Sequence, residues 1–115
     1  MKTTSIGQAA ETAVAEELKD QAYKILGRNW KTKVCEIDII AQKDKVIYFV
    51  EVKYRGASAQ GEGLEDIGPQ KLRRMHFAAS VWVQAHGYNG DYRLLAASVS
   101  SPENIYKVDQ ILEIN

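Results

Sequence analysis

The chain lacks the residues that staple or cage a small domain. Its one cysteine, Cys35, excludes an internal disulfide. One cysteine and two histidines, His76 and His86, give no zinc-type ligand spacing. A hard, oxygen-liganded ion such as magnesium stays open, because carboxylates supply its sites. No apolar run approaches the roughly 18–20 residues that span a bilayer. The start, "MKTTSIGQAAE", has no apolar stretch of the secretory kind, so a cytoplasmic location is expected. Net charge is also missing: 15 basic residues balance 15 acidic ones. That balance counts against strong non-specific DNA binding, which phosphate neutralisation drives, but leaves room for a local basic patch.

What is there suits one domain with one core. The 115 residues are 45% hydrophobic and 26% charged, ordinary for a globular protein, with no repeat or low-complexity tract. Residues 5–26 read as a helix capped by Thr4 or Ser5. One arc of its wheel collects Gly7, Ala10, Val14, Ala15, Leu18, Ala22 and Ile25, and Glu11 sits inside that arc as a charged exception. Three strand-like stretches follow, 23–32 with Gly27 as a bulge candidate, 35–43 and 46–54. A Gly-rich loop is expected over 55–68. Pro69 opens a second helix with the stripe Leu72, Met75, Ala79, Trp82 and Val83, ending near His86-Gly87. His76 borders that stripe and is expected to pack; Trp30 and Trp82 are expected in the core or an interface. Residues 92–100 read as a strand and 105–114 as a last edge strand. Helices and strands mixed in this order predict an α/β layer arrangement.

The stretch "VIYFVEVKY" at 46–54 puts Glu51 and Lys53 on the face that Ile47 and Phe49 bury, since strand side chains alternate. The joint before it is Asp44-Lys45, short enough for an antiparallel hairpin. If those two residues are the turn, facing residue numbers sum to 89, so Asp38 faces Glu51 and Glu36 faces Lys53. Directly opposed side chains lie roughly 4.5–5.5 Å apart at Cβ. A three-residue loop would change that parity.

Two carboxylates so close repel, and either one raises its pKa or a cation sits between them. A divalent ion uses both as ligands, binds a phosphate oxygen and acidifies water. A neighbouring lysine can donate to phosphate or, if desolvated, act as a base. These are the parts for hydrolysing a phosphodiester. A simpler account stands beside it: Glu36 and Lys53 as a cross-strand ion pair, with Asp38 and Glu51 at a solvated edge. The apolar setting of Ile37, Ile39, Ile40, Phe49, Val50 and Val52 weakens that account, because isolated charges there need a partner. The one dense basic run, "KLRRMH" at 71–76, offers Lys71 near a helix N-terminus, where anions are favoured, and Arg73 and Arg74 outside the apolar stripe. A solvated surface explains Lys71 nearly as well and is the usual account of charges placed like Arg73 and Arg74.

"ID" at 37–38 followed by "EVK" at 51–53 resembles the motif of the PD-(D/E)xK nuclease superfamily. More broadly, "GQAAETAVAEEL", "GRNW", "CEIDIIAQKD", "VIYFVEVKYR" and "PQKLRRMHFAASVWV" are similar, in that order, to the YraN-like family. That bacterial group is itself similar to archaeal Holliday junction resolvases. The resemblance implies a restriction-endonuclease-like fold, an αβββαβ core with a mixed sheet flanked by helices. It implies that Asp38 and Glu51 ligate Mg²⁺ or Mn²⁺ with the Val52 carbonyl, that Lys53 is catalytic, and that Glu11 lies near the metal. Arg55 and Lys71 fall at basic positions of the family pattern and are expected, with Arg73 and Arg74, to contact phosphates. The implied function is metal-dependent cleavage of DNA, on branched or junction substrates by analogy, and a homodimer where two strands are cut. The alternative is a DNA-binding module of the same fold with weak or no cleavage. One departure is visible: Cys35 stands where the family usually has the glycine of Gly-Glu-Ile-Asp.

Overall fold

In the computed structural model, which describes residues 5–57 and 67–114, the expected element order is present. Helix α1 spans Ser5–Asp20, and strands β1, β2 and β3 span Lys24–Lys31, Glu36–Lys43 and Val46–Tyr54. Helix α2 follows at Pro69–Ala85, then β4 at Asp91–Ser100 and β5 at Lys107–Ile114. The five strands form one sheet in the order β1-β2-β3-β4-β5. The β3–β4 pair is parallel, with α2 as the crossover, and the other pairs are antiparallel. The fold is therefore α/β with a mixed sheet flanked by two helices, compatible with a restriction-endonuclease-like core. No helix among the described residues is long and apolar enough to cross a membrane.

The first helix ends at Asp20, six residues before the expected limit. Ala22 takes the left-handed conformation at φ 73°, and the Tyr23 N–H closes on the Leu18 carbonyl at 2.9 Å. The chain then extends into β1. Ile25 still packs against the core beneath α1, but as a strand residue, which is why the helical arc seemed to continue. Of the two cap candidates, Thr4 lies outside the described residues. So does the centre of the expected Gly-rich loop, 58–66.

Strand alternation divides the core in two. Ile39, Val50 and Val99 meet Val14 and Leu18 of α1 on one face. Ile47, Phe49 and Leu94 meet Met75, Ala79 and Trp82 of α2 on the other. Phe49 is the largest fully enclosed side chain of that second core, with Trp82 and Tyr92 set edge-on at 5.5 Å each. Gly27 sits at a bulge in the β1–β2 pairing, as its position suggested. Helix α2 closes at Gly87, whose φ of 60° suits a residue without a side chain. His76 departs from expectation: it is exposed, one position beyond the buried Met75.

The hairpin of β2 and β3 carries the register. Asp44 and Lys45 both have positive φ, 53° and 69°, the signature of a two-residue type I′ turn. Lys43 faces Val46 and the pairing runs to Ile39 opposite Val50, every pair on the expected register.

Candidate active site

The β2–β3 ladder stops one step short of Asp38 and Glu51. The Val52 N–H donates to Asp38 Oδ2 at 2.8 Å instead of to a strand carbonyl. A carboxylate has thus replaced the backbone of β2 as the partner of β3. The strand also turns about its axis here: Ile37 packs in the α2-side core and Ile39 in the α1-side core, although two residues apart they would share a face in a flat strand. In a strand a residue's N–H and C=O point to the same side. The Val52 carbonyl therefore faces the gap that β2 leaves beside Asp38.

Asp38 is the electrostatic focus of the molecule. Burial first and the Glu51 charge second, opposed by the Val52 N–H, together push its carboxyl up to about 7. Glu11 and Glu36 act on Asp38 in the same upward direction as Glu51. Three acidic side chains, one each from α1, β2 and β3, therefore act on Asp38, and the hairpin register expected Glu51 to be one of them.

Each of the others has its own setting. Glu11 is buried at 6% exposure, inside the apolar arc where the sequence placed it. Its Oε1 accepts a 2.9 Å hydrogen bond from Asn29 Nδ2 and lies 3.8 Å from the Arg28 guanidinium. Burial raises its carboxyl, and Asn29 and Arg28 offset part of the rise. Glu51, on the α2 side, forms a 2.7 Å ion pair with Lys71. Lys71 thus sits in the first turn of α2 as expected, aimed at a site carboxylate. Glu36 does not pair with Lys53; it stands opposite Lys31 of β1 and lines a cleft together with Glu51. Lys53 is part-buried next to Glu51's strand position and has no ion-pair partner among the described residues. Arg55 follows β3, its N–H bonded to the Val99 carbonyl at 2.7 Å. Arg73 and Arg74 are exposed on α2.

Two participants escaped the sequence reading. Asn29 holds Glu11 from a left-handed position, φ 53°, a conformation asparagine tolerates better than most residues. Ser98 stands beside Lys53 in the parallel register, fully buried, with a hydroxyl that lacks a hydrogen-bond partner. Nothing in local sequence flags a serine in a strand; only the β3–β4 pairing brings it to the site.

Comparison with known proteins fixes the family. A family model described as uncharacterised protein family UPF0102 matches residues 10–111, nearly the whole chain. The chain belongs to UPF0102. The YraN-like resemblance read from the motifs therefore holds at the level of the family. A UPF0102 protein of Fusobacterium nucleatum is 40% identical over 94 residues, covering 82% of this chain and 78% of its own. One from Alkaliphilus metalliredigens is 38% identical over 96 residues, covering 83% and 84%. One from Vibrio vulnificus is 39% identical over 85 residues, covering 74% and 70%. The UPF0102 match spans every element that builds the site, from Glu11 on α1 to the second helix. Those names state no activity, so function rests on what the site can do.

The donor set suits a hard divalent ion. Among the described residues no three acidic, histidine or cysteine side chains stand close enough to cage an ion unaided. Magnesium asks for less: one or two carboxylates, with water and substrate phosphate completing its shell. Asp38, Glu51 and the Val52 carbonyl offer that many oxygens at one place.

Proposed function

We propose that this UPF0102 chain is a divalent-cation-dependent DNA endonuclease of the PD-(D/E)xK type, with Asp38, Glu51 and the Val52 carbonyl as the ligands of Mg²⁺ or Mn²⁺. The observation that carries the reading is the break in the hairpin. A part-buried carboxylate takes a backbone N–H of β3 one residue from Glu51 and one residue from Lys53. A protein that needed only a stable sheet would continue the ladder there.

Each side chain has a task. When bound, the ion polarises a phosphoryl oxygen and lowers the pKa of a coordinated water. Asp38, pinned by the Val52 N–H, presents its other oxygen without rotameric freedom. The Lys53 ammonium donates to a non-bridging phosphate oxygen and stabilises the charge that grows there during in-line attack. Glu11, tethered by Asn29 and Arg28, keeps the local potential negative and favours a cation at the site. Arg55, Lys71, Arg73 and Arg74 supply the positive side of the surface, for phosphates flanking the scissile one. By analogy with the superfamily the products carry 5′-phosphate and 3′-hydroxyl ends. A single site cuts one strand, so cleavage of a duplex or a junction calls for a two-fold dimer.

The Lys71–Glu51 pair favours a second reading. Lys71 already compensates the Glu51 charge, as it would in a DNA-binding module that has given up cleavage. One experiment separates the two. The purified protein is incubated with labelled single-stranded, duplex, flap and four-way-junction DNA in Mg²⁺, Mn²⁺ or EDTA, beside Glu51→Ala and Lys53→Ala. Cleavage that EDTA and both substitutions abolish is the expected result. Binding without cleavage selects the module, and no binding to any of these DNAs defeats both.

A further inference from the structure

The site opens sideways into a cleft of about 500 Å³ between the Thr32–Glu36 segment and α2. That volume lies in the range of small-molecule sites. Its wall is mixed in an unusual way. Glu51 and Lys71 connect it to the site, Lys33 and Arg74 add two cations, and Val34 and Phe77 add apolar surface. Val34 is 71% exposed and Phe77 51% exposed, so both side chains are open to a ligand. Lys33 and Arg74 have no ion-pair partner among the described residues and are exposed.

A large apolar side chain left open between unpaired cations, next to a site for phosphodiesters, calls for a ligand with a flat apolar face and a phosphate. A nucleotide has both. Bases stack on aromatic side chains, and cations beside them track the backbone. A base inside a duplex shows only its edge, so it cannot cover Phe77. The acids Glu36 and Glu51, which also line the cleft, repel a carboxylate ligand but tolerate a neutral base. We infer that this cleft receives an unpaired nucleotide of the DNA strand that crosses the site, its base on Phe77 and Val34 and its phosphate on Lys33 and Arg74. The inference rests on the nuclease reading for its substrate and adds a preference: the strand is held single-stranded beside the scissile phosphate.

Binding is measured in EDTA, which keeps the test apart from cleavage. The probes are a fluorescein-labelled thymidine oligonucleotide and a labelled hairpin duplex, titrated by anisotropy. Phe77→Ala is expected to weaken single-strand binding about tenfold, the order of one lost base stack, and to leave duplex binding unchanged. Phe77→Trp is expected to keep the affinity, with the new indole's emission quenched on binding. Lys33→Ala and Arg74→Ala are expected to lower the salt dependence of binding to both probes, by about one phosphate contact each. Phe77 is half exposed, so its removal spares the fold. Equal losses on both probes, no loss, or unquenched emission overturns the inference. So does a change in sedimentation on Phe77→Ala with DNA affinity intact, which assigns the face to a second copy of the chain. Failure to bind either probe also overturns it. If the chain fails to cleave yet Phe77→Ala discriminates the probes, the nuclease reading falls and the cleft stands. Cleavage with no effect of Phe77→Ala is the converse.

Discussion

The two ends of the β2–β3 hairpin obey different rules. At the turn end, Asp44 and Lys45 form a tight reversal, and Ile40 opposite Phe49 and Gln42 opposite Ile47 follow in strict register. There the backbone satisfies itself and the side chains fill a core. At the open end, five residues and so about 17 Å along at roughly 3.3 Å per residue, a side chain has taken over from the backbone and four acids share one field. The same two strands thus supply a rigid ruler and a site whose charges oppose folding. The difference teaches that the turn end sets where Asp38 and Glu51 go, while the open end bears the cost of having them there.

The largest break in that contrast comes at the turn end. Phe49 is enclosed between Trp82 and Tyr92. Phe49→Ala is expected to destabilise the protein by about 3–5 kcal/mol, from lost burial and the cavity left behind. Urea unfolding measures it. The loss should be the same at pH 5 and pH 8 and indifferent to Mn²⁺, because no titrating group takes part.

The open end should behave in the opposite way. The folded state keeps a proton on Asp38 up to about 7, whereas the unfolded chain releases it near 3.8. The stability from this group is therefore full below about pH 4 and is lost as pH rises through about 7. Asp38→Asn keeps an oxygen for the Val52 N–H and removes the charge. It is expected to stabilise the protein by about 3 kcal/mol at pH 8, with the gain shrinking steadily towards pH 4. Mn²⁺ should raise the Tm of the parent at pH 8 and leave Asp38→Asn unmoved. A gain independent of pH would mean that Asp38 is ionised and comfortable, and the contrast between the two ends would disappear.

How much of this was legible follows from the range of each interaction. The turn and the register were readable because they depend on two adjacent residues and on parity. The anomaly of Glu11 was readable because a helix wheel needs only local spacing. The end of α1 was misread because Ile25 serves the same core from a strand, and periodicity cannot tell the two apart. The partners of Glu51 and Glu11 were not readable. Lys71 lies on α2 and Asn29 on β1, and which cation or amide answers a buried carboxylate is decided by packing between elements. Ser98 and the Phe77 cleft were hidden for the same reason. The metal-ligand roles came from resemblance, and geometry has since placed Asp38 and Glu51 in one field without assigning the ion.

The smallest effect tests the ruler itself. Lys45 holds φ 69°, a left-handed conformation that disfavours a side chain. Glycine adopts it freely but gains entropy in the unfolded chain, which offsets part of the relief. Lys45→Gly is expected to stabilise the hairpin by a net of about 0.5 kcal/mol. Because the turn keeps two residues, Asp38 stays beside Glu51, and the pH dependence described for Asp38→Asn should persist in the Lys45→Gly background with the same slope. Sites this far apart and without shared partners add their effects within about 0.5 kcal/mol. A double variant, Asp38→Asn with Lys45→Gly, that departs from the sum by more than that would show the turn and the carboxylates to be one cooperative unit. Additivity would show that the turn end fixes position alone and leaves the open end to its own electrostatics.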